Sequence, residues 1–171
     1  MQQLKSRIRE VPDFPKPGIL FYDVTTLLRD PEGFRLAIDA LAEPYGNQGI
    51  SLVVGIESRG FILGAAVADR IGAGFIPVRK VGKLPHTTIR VSYALEYGTD
   101  SLEMHSDAIE RGQRVLIVDD LLATGGTARA TVDLVRQLGA DVYGVVFLIE
   151  LVALHGREKL AGENIRAVLQ Y

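Results

Sequence analysis

Segments of apolar residues with the length of a β-strand recur along the chain, and helical patterns lie between them. Residues 50–56 form an apolar run with Ser51 as its one polar residue, which is typical of a strand that is buried on both faces. Strands that alternate with helices form a parallel sheet with helices on both faces. The sequence therefore predicts an α/β fold around a central, mostly parallel sheet. The predicted strands are residues 50–56, 75–78, 115–118, 142–148 and 165–169.

Capping residues mark the predicted helix boundaries. Asp30-Pro31-Glu32 has the pattern of a helix start, because Asp is a favoured N-cap, Pro suits the first turn and an acidic residue stabilises the positive end of the helix dipole. Apolar residues at helical spacing follow, and Gly46 is predicted to end this helix. The other predicted helices span residues 4–10, 61–71 and 127–138.

Residues 79–111 interrupt this alternation. They contain a cationic run and then the segment 91–98, whose pattern is that of a hairpin, but no helical pattern that could cover the sheet. Long insertions of this kind are often functional lids. We therefore expect one domain over residues 1–171, with an N-terminal arm at residues 1–22 and a flexible hood at about residues 80–111.

Composition excludes several classes of protein and site. The 19 Lys and Arg residues and the 21 Asp and Glu residues give a formal net charge of −2, whereas proteins that bind duplex nucleic acid usually have a basic surplus. The chain has no Cys, which excludes disulfides, Cys-ligated zinc and iron–sulfur clusters. No uncharged apolar run reaches the length of about 18 residues that a membrane span needs, and residues 1–7 lack the apolar core of a signal peptide. We expect a cytoplasmic protein without nucleic-acid or membrane partners.

The most informative motif is Val115-Leu116-Ile117-Val118-Asp119-Asp120-Leu121-Leu122-Ala123-Thr124-Gly125-Gly126-Thr127. An apolar strand brings two carboxylates to its carboxyl end, where parallel sheets bind ligands, and a turn of small residues then starts a helix. Backbone N–H groups favour an anion there, and glycines allow a phosphate to approach the backbone closely. The turn contains no Lys, so it is not the nucleotide loop GxxxxGK[ST]. Paired carboxylates beside a phosphate suit ribose hydroxyls, which can donate to them. The alternative interpretation of the whole motif is an ordinary strand–turn–helix joint without a ligand.

This motif resembles the phosphoribosyl-diphosphate signature of the type I phosphoribosyltransferases, and its Leu121-Leu122-Ala123 version resembles the members of that family that use adenine. The resemblance implies a reaction of purine salvage in which adenine and 5-phosphoribosyl 1-diphosphate give AMP and diphosphate, with Mg²⁺ as cofactor. It also implies a homodimer. Further segments that carry the resemblance are Pro12-Asp13-Phe14-Pro15 with Pro17-Gly18, Glu57-Ser58-Arg59-Gly60-Phe61, Arg79-Lys80 with Gly82-Lys83-Leu84-Pro85, Leu95-Glu96-Tyr97-Gly98 and Gly156-Arg157-Glu158-Lys159-Leu160.

The resemblance implies roles for individual residues of two loops. Glu57, Ser58 and Arg59 form a diphosphate loop with a cis peptide bond between the first two. Arg59 is also a catalytic candidate, because a guanidinium offers a fork of donors to phosphate oxygens; the alternative is a surface Arg at a helix start. Mg²⁺ has no direct protein ligand and is carried by the diphosphate, with a contact through water to Asp119. The residues implied for the 5′-phosphate are Ala123, Thr124, Gly125, Gly126 and Thr127, and those for the ribose hydroxyls are Asp119 and Asp120.

A cationic run leads into the hood. The resemblance places Arg79, Lys80 and Lys83 at the diphosphate, whereas the residues by themselves favour a solvated basic loop for Lys83 and His86. Two hood residues complete the implied site. Glu96 is the candidate catalytic residue for proton transfer at the base, with an exposed hairpin glutamate as the alternative. Tyr97 is a hood residue for which packing or a loop contact is the alternative.

The implied adenine pocket has Leu20, Phe21 and Tyr22 on one side and Leu121 on the other. An aromatic face and an aliphatic chain can enclose a purine, while backbone groups around Leu20 and Tyr22 read its edge. The alternative for Phe21 is a place in the core. Two positions depart from the family pattern, since Tyr22 stands where many relatives have a basic residue and Thr26 where Pro is common. Backbone recognition of the base would tolerate both changes.

Two other functions fit the same fold. A regulator that senses the sugar diphosphate would bind nucleic acid, but the chain has no basic surplus and no added helix-turn-helix segment. A related enzyme would use hypoxanthine, guanine or uracil. Enzymes for 6-oxopurines generally place a Lys near the base, and residues 142–151 contain none.

Overall fold

The computed structural model describes residues 1–94 and 98–171, in which strands alternate with helices as the sequence predicts. The helices are α1 (Gln2–Lys5), α2 (Thr25–Leu28), α3 (Pro31–Ala42), α4 (Arg59–Ile71) and α5 (Gly126–Gln137). The strands are β1 (Arg9–Pro12), β2 (Leu20–Asp23), β3 (Leu52–Ile56), β4 (Gly74–Lys80), β5 (Thr88–Ala94), β6 (Thr99–His105), β7 (Arg114–Leu122), β8 (Asp141–Glu150) and β9 (Ile165–Gln170). Short 3₁₀ turns span Glu43–Tyr45, Val152–Leu154 and Gly156–Leu160.

Seven of the described strands form one sheet, in the order β5-β6-β4-β3-β7-β8-β9. Five neighbouring strands of this sheet, β4-β3-β7-β8-β9, pair in parallel. This confirms the predicted sheet and its five predicted strands. Because β3, β4 and β7 are neighbours and parallel, the loops that follow them leave the sheet at one edge. This is the edge where open α/β sheets bind ligands.

Helices cover both faces of the sheet. On one face, α3 and α4 pack against Val53, Leu116 and Val146. On the other face, α5 packs against Ile117 and Phe147. All five of these strand residues are fully buried. Since successive residues of a strand point to opposite faces, a strand that is covered on both faces needs a continuous apolar run, and this is why the apolar runs predict the strands.

The N-terminal segment differs from its prediction. The predicted helix at residues 4–10 is wrong beyond Lys5, because Arg9 begins β1, which pairs antiparallel with β2. Leu4 and Ile8 are spaced as on one face of a helix, but each packs separately into the hydrophobic core, Leu4 from α1 and Ile8 from the segment before β1. Pairing with β2 provides the backbone hydrogen bonds of this segment, and Pro12 is compatible with the end of an edge strand.

Helix α3 begins as predicted and ends earlier. The Asp30 carboxylate accepts a hydrogen bond from the backbone N–H of Gly33 at 3.2 Å, and Pro31 occupies the first turn. The helix ends at Ala42 and not at Gly46, because Pro44 has no N–H for a helical hydrogen bond. The chain continues as a 3₁₀ turn, which still buries Tyr45.

The hood contains the predicted hairpin, which is formed by β5 and β6. Strand β6 also pairs antiparallel with β4 at Arg79 and Lys80, so the hairpin extends the main sheet at its edge. Leu102 and Met104 of β6 are fully buried. The second strand of the hood is therefore part of the hydrophobic core, and the cations at the end of β4 lie next to it.

Candidate active site

The turn between β7 and α5 surrounds a small cavity of about 90 Å³. Gly125 has a φ of +79°, in the left-handed region that glycine adopts freely. A Cβ at Gly125 would lie 2.3 Å from the carbonyl oxygen of Gly156, so the turn packs directly against the backbone of a 3₁₀ turn. The first N–H groups of helix α5 have no partner within the helix, and the cavity suits one phosphate group better than a whole nucleotide. All five residues predicted for the 5′-phosphate line it: Ala123, Thr124, Gly125, Gly126 and Thr127.

A second, larger cavity of about 610 Å³ lies between α1, α3 and the end of α4. None of the predicted site residues that the structure describes lines it. We therefore place the candidate site at the phosphate turn, where the polar groups and the helix start converge, and not at the larger cavity.

Asp119 and Asp120 lie at the carboxyl end of β7, as predicted, but in different surroundings. Asp120 is 7% exposed, and its Oδ2 accepts a hydrogen bond from Nε of Arg59. Asp119 Oδ1 accepts a hydrogen bond from the N–H of Asp120 at 2.9 Å and lies 2.7 Å from where a Cβ on Gly60 would be. Burial, and then repulsion by the charge of Asp120, raise the pKa of Asp119 well above its usual range. Hydroxyl donors or a cation from a ligand would stabilise this carboxylate.

Arg59 is the first residue of α4, where the helix dipole disfavours a cation. Its ion pair with Asp120 offsets this cost, so part of its role is structural. The side chain of Arg59 is still 41% exposed, which leaves guanidinium N–H groups for a ligand at this edge. The peptide bond between Glu57 and Ser58, just before α4, is cis as the resemblance implies.

The carboxylate of Glu57 lies at the centre of the cationic part of the site. It is 13% exposed and accepts hydrogen bonds from Nζ of Lys83 at 2.5 Å, from Nη2 of Arg79 at 3.3 Å and from the N–H of Lys80 at 3.1 Å. Burial acts to raise the pKa of Glu57, but these hydrogen bonds and the charge of Arg79 lower it to about 2. Lys83 is an exposed loop residue, with its side chain 48% exposed, and its ammonium also pairs with Glu57. We infer that Glu57 holds the two cations and does not itself contact phosphate oxygens, which its charge would repel.

Lys80 and His86 have different neighbours. Nζ of Lys80 donates a hydrogen bond to Oδ2 of Asp100 and another, at 3.2 Å, to the hydroxyl oxygen of Tyr93. Both partners belong to the hood hairpin. The His86 side chain is 65% exposed and lies 3.9 Å from Asp107. The interpretation as a solvated loop residue suits His86, whereas Lys83 is exposed but also pairs with Glu57.

Comparison with known proteins agrees with this geometry. Residues 23–164 match the family model described as the phosphoribosyl transferase domain. The chain belongs to the phosphoribosyltransferase family. A curated relative from Acidobacterium capsulatum, an adenine phosphoribosyltransferase, is 61% identical over 170 residues, which cover 99% of this chain and 94% of that protein. Phosphoribosyltransferases generally use Mg²⁺ together with the sugar diphosphate.

Two solved phosphoribosyltransferase structures have the same fold. The adenine phosphoribosyltransferase of Rhodothermus marinus has a TM-score of 0.94 at 59% identity, with 99% of this chain and 97% of that chain covered. The enzyme of Saccharomyces cerevisiae, in complex with adenine and an imino-altritol bisphosphate, has a TM-score of 0.93 at 42% identity, with 98% and 97% covered. The predicted type I phosphoribosyltransferase fold is thereby confirmed.

Strand β2 of this phosphoribosyltransferase carries the three residues predicted at the base. Leu20 is 41% exposed, and the half-buried ring of Phe21 lies edge-on to Phe14, with 5.2 Å between ring centroids. Phe21 belongs to neither hydrophobic cluster of the described residues, which argues against a place in the core. The ring of Tyr22 packs on that of Tyr171 at 4.0 Å, so the Tyr22 side chain has a structural role.

The end of β2 lies near the diphosphate loop. The pKa of Asp23, the last residue of β2, is lowered chiefly by hydrogen bonds from Thr25 and further by the charges of Arg9 and Arg59. Arg59, the first residue of α4, is thus among the charges that act on this carboxylate. Leu121, which is predicted on the other side of the base, is half-buried in β7 and packs against the same hydrophobic cluster as α4.

Glu96 and Tyr97, the predicted catalytic and hood residues, lie outside the described residues, so their roles stay predictions. The last described residue before them, Ala94, places its carbonyl oxygen 3.6 Å from where a Cβ on Gly126 would be. Strand β5 therefore ends beside the phosphate turn.

Sequence reasoning missed three residues of the site. Tyr93 and Asp100 face each other across the hairpin of β5 and β6, and together they hold Lys80. Their pairing depends on the register of the hairpin, which the alternation of residues 88–94 suggests but does not fix. Gly156 supports the phosphate turn from behind, since a Cβ there would lie 2.2 Å from the carbonyl oxygen of Ala123. Its only signal in the sequence is its place in a segment that carries the family resemblance.

We predict that Asp119→Asn stabilises the fold at neutral and alkaline pH while it lowers activity. The pKa of Asp119 is raised in the folded state, so its contribution to stability is full below its unfolded pKa and is lost as the pH rises through the folded pKa. Asn cannot ionise and avoids this loss, and a pKa difference of one corresponds to about 1.4 kcal/mol. Denaturant unfolding between pH 4 and 8 should show an advantage of Asn that grows with pH.

Asp141→Asn is the matched control for this comparison, because Asp141 is 62% exposed on the surface and pairs with Arg114 at 3.5 Å. Its effect should stay within about 0.5 kcal/mol at every pH. An Asp119→Asn variant that is no more stable than the wild type at pH 8 would show that folding does not raise the pKa of this carboxylate.

We predict that Glu57→Gln destabilises the fold at pH 7 by about 1–3 kcal/mol, because two cations then lack their counter-charge. The folded-state pKa of about 2 lies below the usual 4.5, so the contribution of Glu57 is present above pH 4.5 and is lost as the pH falls through 2. The difference between wild type and variant should therefore narrow below pH 4.5. Glu32→Gln, at a side chain that is 60% exposed and pairs with Arg7, is the control. A difference that stays constant from pH 7 to pH 3 would contradict the assigned role.

Proposed function

We propose that the chain transfers the 5-phosphoribosyl group from 5-phosphoribosyl 1-diphosphate to adenine, with AMP and diphosphate as products, in purine salvage. The observation that carries this proposal is the phosphate turn, which follows two carboxylates and lies at the same edge of the sheet as two cationic loops. The relatives from A. capsulatum, R. marinus and S. cerevisiae are all named for this reaction, and the last of them was crystallised with adenine.

The 5′-phosphate and the ribose of the substrate bind at the end of β7. Residues 123–127 provide two threonine hydroxyls and backbone N–H groups at the start of α5 that have no partner within the helix, and these groups can donate to phosphate oxygens. The ribose hydroxyls donate to Asp119 and Asp120. The Asp120 carboxylate has one oxygen on Arg59, so its other oxygen is the one available to a hydroxyl.

The diphosphate binds at the loops that follow β3 and β4. Arg59 and Arg79 offer forked N–H donors, and Lys80 and Lys83 offer ammonium donors. All four cations are held by carboxylates of the same chain. Glu57 and Ser58, which the resemblance assigns to the diphosphate, lie in the first of these loops.

Mg²⁺ fits the chemistry of this edge. It prefers oxygen ligands and keeps several waters, and Asp119, whose pKa is raised by burial and by the charge of Asp120, has carboxylate oxygens at this edge. In residues 1–94 and 98–171, no group of three or more His, Cys, Asp or Glu side chains could hold a metal ion. As the resemblance implies, the diphosphate would carry Mg²⁺, and Asp119 would reach the ion through water. When bound, the ion neutralises charge on the diphosphate.

The reaction exchanges one bond at the anomeric carbon, from a diphosphate oxygen to a nitrogen of adenine. The chain contributes position and electrostatic stabilisation and forms no covalent intermediate. Arg59 and Lys80 stabilise the negative charge that develops on the leaving diphosphate. The base loses a proton as the new bond forms, and Glu96 is the predicted acceptor.

Strand β2 provides the donors and acceptors that select adenine. In the part of the chain that the structure describes, β2 pairs only with β1, so its other edge has backbone N–H and C=O groups without a strand partner. These groups near Leu20 and Tyr22 can match the amino group and the ring nitrogens of adenine. The ring of Phe21 and the side chain of Leu121 enclose the faces of the base.

Three further expectations stay predictions. They are the homodimer, the cytoplasmic location and the flexibility of the hood within a single domain. Across the described ranges, the helices are all too short or too polar to cross a lipid bilayer.

We predict that kcat/KM for adenine exceeds that for hypoxanthine by at least about a hundredfold. The two bases differ at position 6, where a donor amine replaces an acceptor oxygen, and a backbone group matched to one is left unpaired by the other. Pyrophosphate release with adenine, hypoxanthine, guanine and uracil, each offered separately with Mg²⁺ and the sugar diphosphate, measures this ratio. Comparable rates with adenine and hypoxanthine would contradict recognition by β2, and no release with any base would contradict the proposed function.

A further inference from the structure

The hydroxyl of Tyr93 lies between the two anion sites of the proposed function. Nζ of Lys80, at the diphosphate end, donates to it at 3.2 Å. The Thr127 hydroxyl, at the 5′-phosphate end, lies 3.5 Å from it on the other side. The Tyr93 hydroxyl itself donates to Oδ2 of Asp100 at 3.3 Å. One hood side chain therefore touches both ends of the site.

The directions of these hydrogen bonds are fixed by chemistry. An ammonium can only donate and a carboxylate can only accept, while a phenol has one proton to donate and lone pairs to accept. The Tyr93 hydroxyl therefore gives its proton to Asp100 and accepts from Lys80. A Phe side chain could do neither, although its ring would occupy the same space.

The ring of Tyr93 is fixed independently of its hydroxyl. It packs against the hydrophobic cluster that α5 forms with Ile117 and Phe147 of the sheet, and its Cδ2 lies 3.3 Å from where a Cβ on Gly126 would be. The residue pairs with Asp100 within the hairpin, whose second strand is anchored by buried Leu102 and Met104. The hydroxyl is thus held at a constant position relative to the phosphate turn.

Lys80 needs such a support because a Lys side chain is a flexible four-carbon stem with a single charged end. Asp100 pairs with its charge, and the Tyr93 hydroxyl gives a second point of attachment that leaves the charge of Lys80 unchanged. A side chain that is already held loses less conformational entropy when a ligand binds.

We propose that Tyr93 is a positioning residue for the sugar diphosphate: its hydroxyl holds Lys80 at a set distance from the phosphate turn, so that the diphosphate and the 5′-phosphate ends of the substrate bind as one unit. This inference rests on the proposed function for its two anion sites. It assigns to the hood a role that is separate from the predicted proton transfer by Glu96.

The test is a double-mutant cycle on the full chain, with Mg²⁺ pyrophosphate as the probe in isothermal titration calorimetry. Tyr93→Phe removes the hydroxyl and keeps the ring, and Lys80→Met removes the ammonium. We expect Tyr93→Phe to weaken pyrophosphate binding about 3- to 10-fold in the wild-type background and less than about 1.5-fold in the Lys80→Met background, because the hydroxyl acts through Lys80. Tyr143→Phe is the matched control, since it removes a hydroxyl that bonds Gln48 at 2.8 Å, and it should bind pyrophosphate as the wild type does.

Ribose 5-phosphate is the second probe, because it occupies only the 5′-phosphate end. Tyr93→Phe should change its affinity less than about twofold when it binds alone. The factor by which pyrophosphate strengthens ribose 5-phosphate binding should fall at least threefold in this variant. A Tyr93→Phe variant that retains this factor and binds pyrophosphate as the wild type does would overturn the inference. So would a loss that persists in full in the Lys80→Met background.

The outcomes separate this inference from the function on which it rests. A wild-type chain that binds neither pyrophosphate nor ribose 5-phosphate would overturn the proposed anion sites. A wild-type chain that binds both, with an unchanged Tyr93→Phe variant, would overturn only the role of Tyr93.

Discussion

Carboxylates of this chain hold the cations of its candidate site, and the geometry of the site depends on these ion pairs. Glu57 holds Arg79 and Lys83, and Asp100 holds Lys80. Without the carboxylates, neighbouring cations at one edge of the sheet would repel one another and extend into water. Without the cations, a carboxylate as little exposed as Glu57 would tend to lose its charge. The pairs therefore keep the loops after β3 and β4 together before any substrate arrives.

These ion pairs also explain how a chain with a formal net charge of −2 can have a site for a polyanion. Three carboxylates pair with the four cations, so the site has little net positive charge and depends on directed hydrogen bonds to the substrate. Asp119 differs from the other carboxylates of the site. Burial and the neighbouring carboxylate of Asp120 raise its pKa. A ligand that donates hydrogen bonds to this carboxylate would stabilise its charged form. The overall charge of the chain therefore says little about its ligand, although it does argue against duplex nucleic acid.

The sequence predicts the strands and the phosphate turn, which depend on the local pattern of residues. It does not predict contacts between side chains from distant segments. The apolar runs predict five strands because both faces of the sheet are covered. The motif around Asp119 predicts the phosphate turn because glycines allow a phosphate to approach the backbone at the start of a helix. The helix predicted at residues 4–10 is mostly wrong, because pairing with β2 outweighs local spacing. Glu57 is the clearest case at the site: the resemblance assigns it to the diphosphate, but only the structure shows that its carboxylate accepts from Lys83, which lies 26 positions away. Tyr93 is missed because the hairpin register decides its partner.

A crystal structure of the full chain with ribose 5-phosphate, pyrophosphate and Mg²⁺ tests most directly whether one edge of the sheet binds both ends of the substrate. The account predicts a phosphate within hydrogen-bond distance of the backbone N–H groups of residues 124–127, with pyrophosphate on Arg59, Arg79 and Lys80. Anions bound elsewhere, for example in the larger cavity between α1, α3 and α4, together with an empty phosphate turn, would contradict it.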